Sequence, residues 1–243
     1  NQKTHEREPL AVRSVRSYKS ILYAAFNQAV IDGILKVNPV IGVSVHGKKN
    51  KAYSEEVLFL TEEEISDLLH FLSEHYPRLL GIAFIGAYYG LRRSEILGLK
   101  WSAIDFNRKT ISINHTVVRV RTTNAEDSTK TQAGKRTLNL FGTAEKCLLR
   151  LKQEQEYNRK FFQSDYKNKE GYIFTWENGT PYDPNYISSL FCKATKEFGR
   201  PEITLHKLRH SCASMLINKG WDVKKLQYWL GHTDTQTTLN IYA

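Results

Sequence analysis

The chemistry-bearing residues of this 243-residue chain gather near its end, in residues 204–242, TLHKLRHSCASMLINKGWDVKKLQYWLGHTDTQTTLNIY. His206 and Arg209 are three apart, so on a helix they share one face. His232 follows in a Leu-Gly-His turn, and Tyr242 comes ten residues later. A phenol, imidazoles and a guanidinium converging on a polyanion are the parts needed to attack a phosphodiester. Further upstream, Arg92 and Arg93 follow a Gly-Leu turn, where guanidinium forks would match phosphate oxygens. Lys130 stands between two threonines at a hairpin turn, where an ammonium with a lowered pKa could protonate a leaving alkoxide. Taken singly, each group has a plainer alternative: surface arginines paired with Glu95 or solvent, a solvated hairpin lysine, a packing tyrosine.

Metal chemistry is not expected. His206 and His210 are four apart, but Lys207 stands where a zinc-protease motif carries glutamate, and no acidic or cysteine ligand completes a set. His210 reads as a packing or supporting residue. There is no phosphate loop of Walker type and no acidic pair for two magnesium ions. Phosphoryl chemistry here would therefore draw its charge stabilisation from arginine, lysine and histidine. No cofactor is expected.

The bulk numbers fit such a partner. Lysine and arginine exceed acidic residues by ten, with a sequence pI near 9.4, which favours nucleic acid or another acidic surface. No run of about 18 apolar residues marks a membrane span, and no signal peptide appears. The three cysteines, Cys147, Cys192 and Cys212, are widely spaced and read as reduced thiols of a cytoplasmic protein.

The elements that must position these groups are mostly helices. Apolar residues at Val15, Tyr18, Ile21, Leu22, Ala25, Phe26, Ala29 and Val30 mark an amphipathic helix, stopped near Gly33 and Asn38-Pro39. The polar stretch from His46 to Glu56 reads as a linker; its Lys48, Lys49 and Lys51 could meet phosphates or simply be solvated. Thr61 and Glu64 form a capping box opening a helix. An apolar helix follows over 79–89, then a short one capped by Ser94. Residues 110–120 alternate as one strand, a polar loop covers 122–128, and a further strand lies at 136–140, giving a two- or three-stranded antiparallel unit. A long helix is expected over 143–162, a short strand at 172–174, and a helix opened by Asp183-Pro184. The fold class is mainly α with a small antiparallel β-sheet.

In this order the motifs resemble the tyrosine recombinase (phage integrase) family. They are GLRRSE at 90–95, TKT at 129–131, HKLRH at 206–210, LGH at 230–232 and Tyr242, with WSAIDF at 101–106 and TTLNIYA at 237–243 around them. The resemblance implies a catalytic domain over 59–243, a linker over 46–58, and in 1–45 the C-terminal part of a helical core-binding domain. It implies a catalytic set of Arg92, Lys130, His206, Arg209, His232 and the nucleophile Tyr242, with Arg93 at the variable position beside the first arginine. From their charge and place in the chain, Lys48, Lys49, Lys51 and Arg93 are expected as further DNA contacts. The implied activity is site-specific recombination or integration through a covalent 3′-phosphotyrosyl link, without metal or ATP, mobilising a phage or transposon element. The implied partners are double-stranded DNA and three further copies of the chain in a synaptic tetramer. The sequence ends at Ala243, where family members carry a docking tail, so this chain is expected as a monomer or dimer. The expected location is the bacterial cytoplasm, at the nucleoid. Two rivals are a DNA-binding module without catalysis and a type IB topoisomerase.

Overall fold

The computed structural model of the protein describes residues 10–46, 59–120, 123–128 and 134–232. The chain divides into two compact units, residues 1–57 and 58–243.

The first unit is built on helix α1, Val12–Ile31. Its C-terminus is closed by Asp32, whose N–H donates to the carbonyls of Gln28 and Val30, and by Gly33 in the left-handed region. Buried Asn38 ties the following segment back: its Nδ2 donates to Tyr23 O at 2.9 Å and its Oδ1 accepts from Val40 N. The amphipathic spacing forms the expected helix, yet Tyr18, Ile21 and Leu22 of its apolar row are exposed.

The second unit surrounds α3, Pro77–Tyr89, which is apolar on every side and buries Leu79, Ile82, Ala83, Ile85, Ala87 and Tyr89. A helix hydrophobic all round must be covered all round, and α3 contacts α2 (Glu62–His75), α5 (Gly142–Phe162) and α7 (Leu205–Asn218). Thr61 and Glu64 close the capping box of α2 as its sequence requires. Proline at the first position starts both α3 and α6, Pro184–Glu197, and Asp183 caps α6 by accepting from the N–H groups of Asn185 and Tyr186. The last described helix is α8, Val223–Leu230.

Two sheets replace the single antiparallel unit expected. Strand β1 (Ile104–Asp105), β2 (Thr110–Ile113) and β5 (Arg136–Asn139) form one, in the order β1-β2-β5, with Ile111 opposite Leu138 and Ile113 opposite Arg136. Strand β3 (His115–Val120) pairs with β4 (Thr123–Ser128) in the other. The run 110–120 therefore breaks at Asn114, and the polar stretch expected as a loop is a strand, because a backbone ladder needs no apolar side chains once a neighbour supplies the pairing. The short strand expected at 172–174 is a single bridge between Lys100 and Tyr172. Among the described residues no helix is long and apolar enough to cross a membrane.

Candidate active site

Helix α3 ends on Gly90, whose φ of 63° turns the chain into Leu91 and Arg92. Arg92, not Ser94, is the N-cap of α4, Arg93–Leu97. The third residue of that helix, Glu95, reaches back and accepts from the Arg92 backbone N–H at 2.9 Å, which is half of a capping box. Local helix chemistry thus places the Glu95 carboxylate beside the Arg92 guanidinium, Nη1 to Oε1 at 2.8 Å. Glu95 is 2% exposed while the Arg92 side chain is 42% exposed.

Thr204 caps α7 by accepting from Lys207 N. The helix turns Arg209 inward, where it is buried, and leaves His206 exposed on the same side. Arg209 spans two helix ends: Nη1 donates to Gly90 O at 2.6 Å and Nη2 to Leu230 O at 2.7 Å. Its Nη1 stands 3.9 Å from Glu95 Oε2, beyond hydrogen-bond reach.

Helix α8 is closed by Gly231 in the left-handed conformation, φ 66°. Helix C-termini leave carbonyls without intrahelical partners, and these carry the negative end of the helix dipole. Here three consecutive carbonyls each take a different arginine. Trp229 O accepts from Arg136 Nε at 2.8 Å, Leu230 O from Arg209, and Gly231 O from Arg92 Nη2 at 3.0 Å. His232 follows directly, 8% exposed, its N–H bound to Gln227 O.

The site therefore assembles three guanidiniums around one carboxylate, an excess of two positive charges. That excess shows in the titration of its members. Burial and then Arg92 push Arg209 down to about 9, against the opposing pull of Glu95; it stays charged at neutral pH, but its charge is under-compensated. Burial would raise the Glu95 carboxyl, yet Arg136 and then Arg92 hold it below its ordinary value. Burial, Arg209 and Arg92 lower His206, and the same causes with Arg136 and His210 push His232 down to about 4. Both imidazoles are neutral at pH 7, able to accept a proton or donate one N–H without adding charge. His210 packs edge-on against His206, ring centroids 4.6 Å apart. Buried Cys212 is pushed up to about 12 by burial and is no nucleophile. An under-compensated cationic cluster with neutral donors suits a phosphate.

The sequence model of the phage integrase family matches residues 58–243. The chain belongs to this family, the tyrosine recombinases. Its similarity extends to a XerC-like tyrosine recombinase of Caldanaerobacter subterraneus, 28% identical over 95% of this chain and 62% of the relative. It extends as well to the transposase of transposon Tn916 from Enterococcus faecalis, 26% identical over 96% of this chain and 58% of the relative. The chain thus spans about 60% of the length of these curated relatives. Among solved structures it is similar to an integrase fragment of transposon Tn1549 in complex with a circular intermediate DNA. That match has a TM-score of 0.79 and 25% identity, covering 96% of this chain and 76% of that one. A lambda integrase dimer bound to a core site shares the fold, with a TM-score of 0.57 at 18% identity over 96% and 59% of the two chains.

Of the residues singled out in the sequence, Arg92, Arg209, His206 and His232 come together. Arg93 turns the other way: its Nη1 donates to Pro184 O at 3.2 Å and to Ser188 Oγ at 2.6 Å, joining α4 to α6. Lys48, Lys49, Lys51, Lys130 and Tyr242 lie outside the described residues. Two members of the site escaped notice in the sequence, Glu95 as a buried group and Arg136 altogether. The signal for Arg136 was present: it shares a face with Leu138 on β5, where Arg136 and Leu138 are buried and Thr137 and Asn139 exposed. A charged residue on the inward face of a strand announces a buried partner.

Proposed function

We propose that this chain is the catalytic part of a site-specific DNA recombinase, with 59–243 as the catalytic domain, 46–58 as a linker and 1–45 as the end of a helical core-binding domain. The observation that carries this reading is the cluster in which Arg92, Arg136 and Arg209 hold more positive charge than Glu95 balances, beside neutral His206 and His232. Its substrate is a phosphodiester of double-stranded DNA, whose non-bridging oxygens accept from the partly exposed Arg92 guanidinium and from the His232 imidazole. As charge builds on those oxygens in the transition state, fixed guanidiniums stabilise it without reorganisation.

Tyr242 supplies the nucleophile. Its phenol gives its proton to neutral His206 as its oxygen bonds to phosphorus. The bond to the 5′ oxygen breaks, and Lys130 protonates that oxygen to leave a free 5′-hydroxyl and a 3′-phosphotyrosyl link. One phosphoester replaces another, so a 5′-hydroxyl from a second strand rejoins by the reverse steps with no ATP. Four copies of the chain acting on paired sites would complete an exchange between a mobile element and its target. Lys48, Lys49 and Lys51 are proposed as contacts to the DNA backbone. Arg93 joins them only if DNA draws it from α6.

The test is covalent capture. The protein is incubated in EDTA with nicked duplexes of random sequence, and a DNA-linked species is sought on a denaturing gel. A covalent species is expected from the wild type and none from Tyr242→Phe, which should still bind DNA. Equal trapping by Tyr242→Phe overturns the nucleophile assignment. Binding without any trapping favours a DNA-binding module, and relaxation of supercoiled DNA without strand exchange favours a topoisomerase.

A further inference from the structure

The least exposed charged side chain of the site is Arg136, at 0%, so it cannot meet DNA as the fold stands. Yet all three nitrogens of its guanidinium donate, and together they reach three parts of the site. Nη1 and Nη2 grip the two oxygens of Glu95 at 3.2 and 3.1 Å, Nε donates to Trp229 O, and Nη1 also donates to Gly134 O at 3.1 Å. Glu95 in turn orients Arg92. Trp229 O is the first of the three carbonyls whose next two members receive Arg209 and Arg92. Gly134 lies two residues before β5.

A second tie runs along the same seam. Tyr228 Oη accepts from Thr137 N at 3.2 Å and donates to Thr137 O at 3.1 Å, so neighbouring residues of β5 hold neighbouring residues of α8. Trp229 itself stacks on Tyr89 and Phe141, with ring centroids 5.8 and 5.7 Å away. The ring stack restrains the helix, but it does not fix where the carbonyls beyond it point. Arg136 does, because a planar fork holding a carboxylate on one edge and a carbonyl at Nε admits a single orientation.

We propose that Arg136 is a positioning residue of the recombinase site: through Glu95 and the Trp229 carbonyl it sets Arg92, Arg209 and His232 in register with one another, touching no substrate itself. This rests on the functional reading above. A buried ion pair that merely balanced charge would need no contact with α8 and no second donor to Gly134. The arrangement makes one side chain answer for the placement of three phosphate-facing groups, and a displacement of about 1 Å in such a group can cost about 100-fold in rate.

The experiment compares wild type with Arg136→Lys, which keeps the charge and loses the fork, and with Arg136→Gln, which loses both. Three quantities are read: DNA affinity, the single-turnover rate of Tyr242-linked adduct formation, and backbone hydrogen exchange at residues 230–232. In Arg136→Lys we expect affinity within about two-fold of wild type, cleavage slowed about 100-fold, and faster exchange confined to 230–232. Arg136→Gln should be slower still, and added guanidinium ion should restore part of its rate. A folded Arg136→Lys that cleaves within about three-fold of wild type overturns the proposal. Should Arg136→Gln fail to fold, the lysine variant alone decides. If the wild type itself forms no adduct, the functional reading fails independently. Exchange then decides the remaining claim, and unchanged exchange at 230–232 in Arg136→Lys sinks it.

Discussion

Two arginine–glutamate clusters of the second unit invite comparison. Near the start of α2, Arg200 lies between two carboxylates, Nε on Glu202 at 2.5 Å and Nη1 on Glu64 at 2.9 Å, with its side chain 32% exposed. Its charge is over-compensated: hydrogen bonds to Glu202 and then Glu64 raise its pKa, and Arg200 helps lower both carboxyls. In the candidate active site the ratio is reversed, with two guanidiniums bonded to one buried carboxylate, a third 3.9 Å from it, and further donors on backbone carbonyls. There Arg209 is pushed down to about 9. The same residue types make a closed clip in one place and a cluster with surplus positive charge in the other. What separates them is stoichiometry and burial, since carbonyl dipoles satisfy hydrogen-bond donors without cancelling net charge.

The comparison breaks most sharply at Glu95. Glu95→Gln removes the only carboxylate of the cluster among the described residues and leaves Arg136 buried without its counter-charge, which should destabilise the protein by about 3–5 kcal/mol, read by urea denaturation. Because the site would then lack its one anion, added inorganic sulfate should recover part of that loss, whereas it should do little for the wild type. Full stability in Glu95→Gln would mean that the buried charges are relieved in some other way.

His232 carries the next effect. Its pKa of about 4 lies below the ordinary 6.5, so the unfolded chain takes up a proton before the folded one does as the pH falls. Its stabilisation is complete above about pH 6.5 and is lost as the pH falls toward 4, by about 3 kcal/mol in all. His232→Asn should flatten the stability profile over that window, and an unchanged slope would remove His232 as its source.

Gly90 tests the geometry that anchors Arg209. A Cβ there would meet Leu230 Cδ2 at 2.6 Å and Cys212 Sγ at 3.2 Å, on a backbone with φ of 63°. Gly90→Ala should cost about 2 kcal/mol and slow cleavage, since the Gly90 carbonyl holds Arg209; thermal unfolding and the capture assay read the two effects. The smallest effect belongs to the exposed cluster: Arg200→Ala should change stability by under about 1 kcal/mol and leave the cleavage rate as it was. A large loss of activity there would erase the contrast between the two clusters.

The fold and the site divide along the same physical line. Residues close in sequence act through helix and turn geometry, which a sequence carries directly. Hence the capping box of Thr61 and Glu64, the helix opened by Asp183-Pro184, and the shared face of His206 and Arg209 were all legible. So were the amphipathic spacing of α1 and the ordered motifs of a tyrosine recombinase. The break of 110–120 into strands of two sheets was not, because pairing partners decide a strand as much as its own alternation. Nor was the turn of Arg93 toward α6. Least legible was the meeting of Arg136, Arg209 and Arg92 on three successive carbonyls, drawn from β5, α7 and the start of α4 onto the end of α8. Sequence determined which groups carry charge and which helix ends lack partners. Tertiary packing alone decided which of those charges would be gathered around one buried carboxylate, because residues far apart in sequence meet only through the fold.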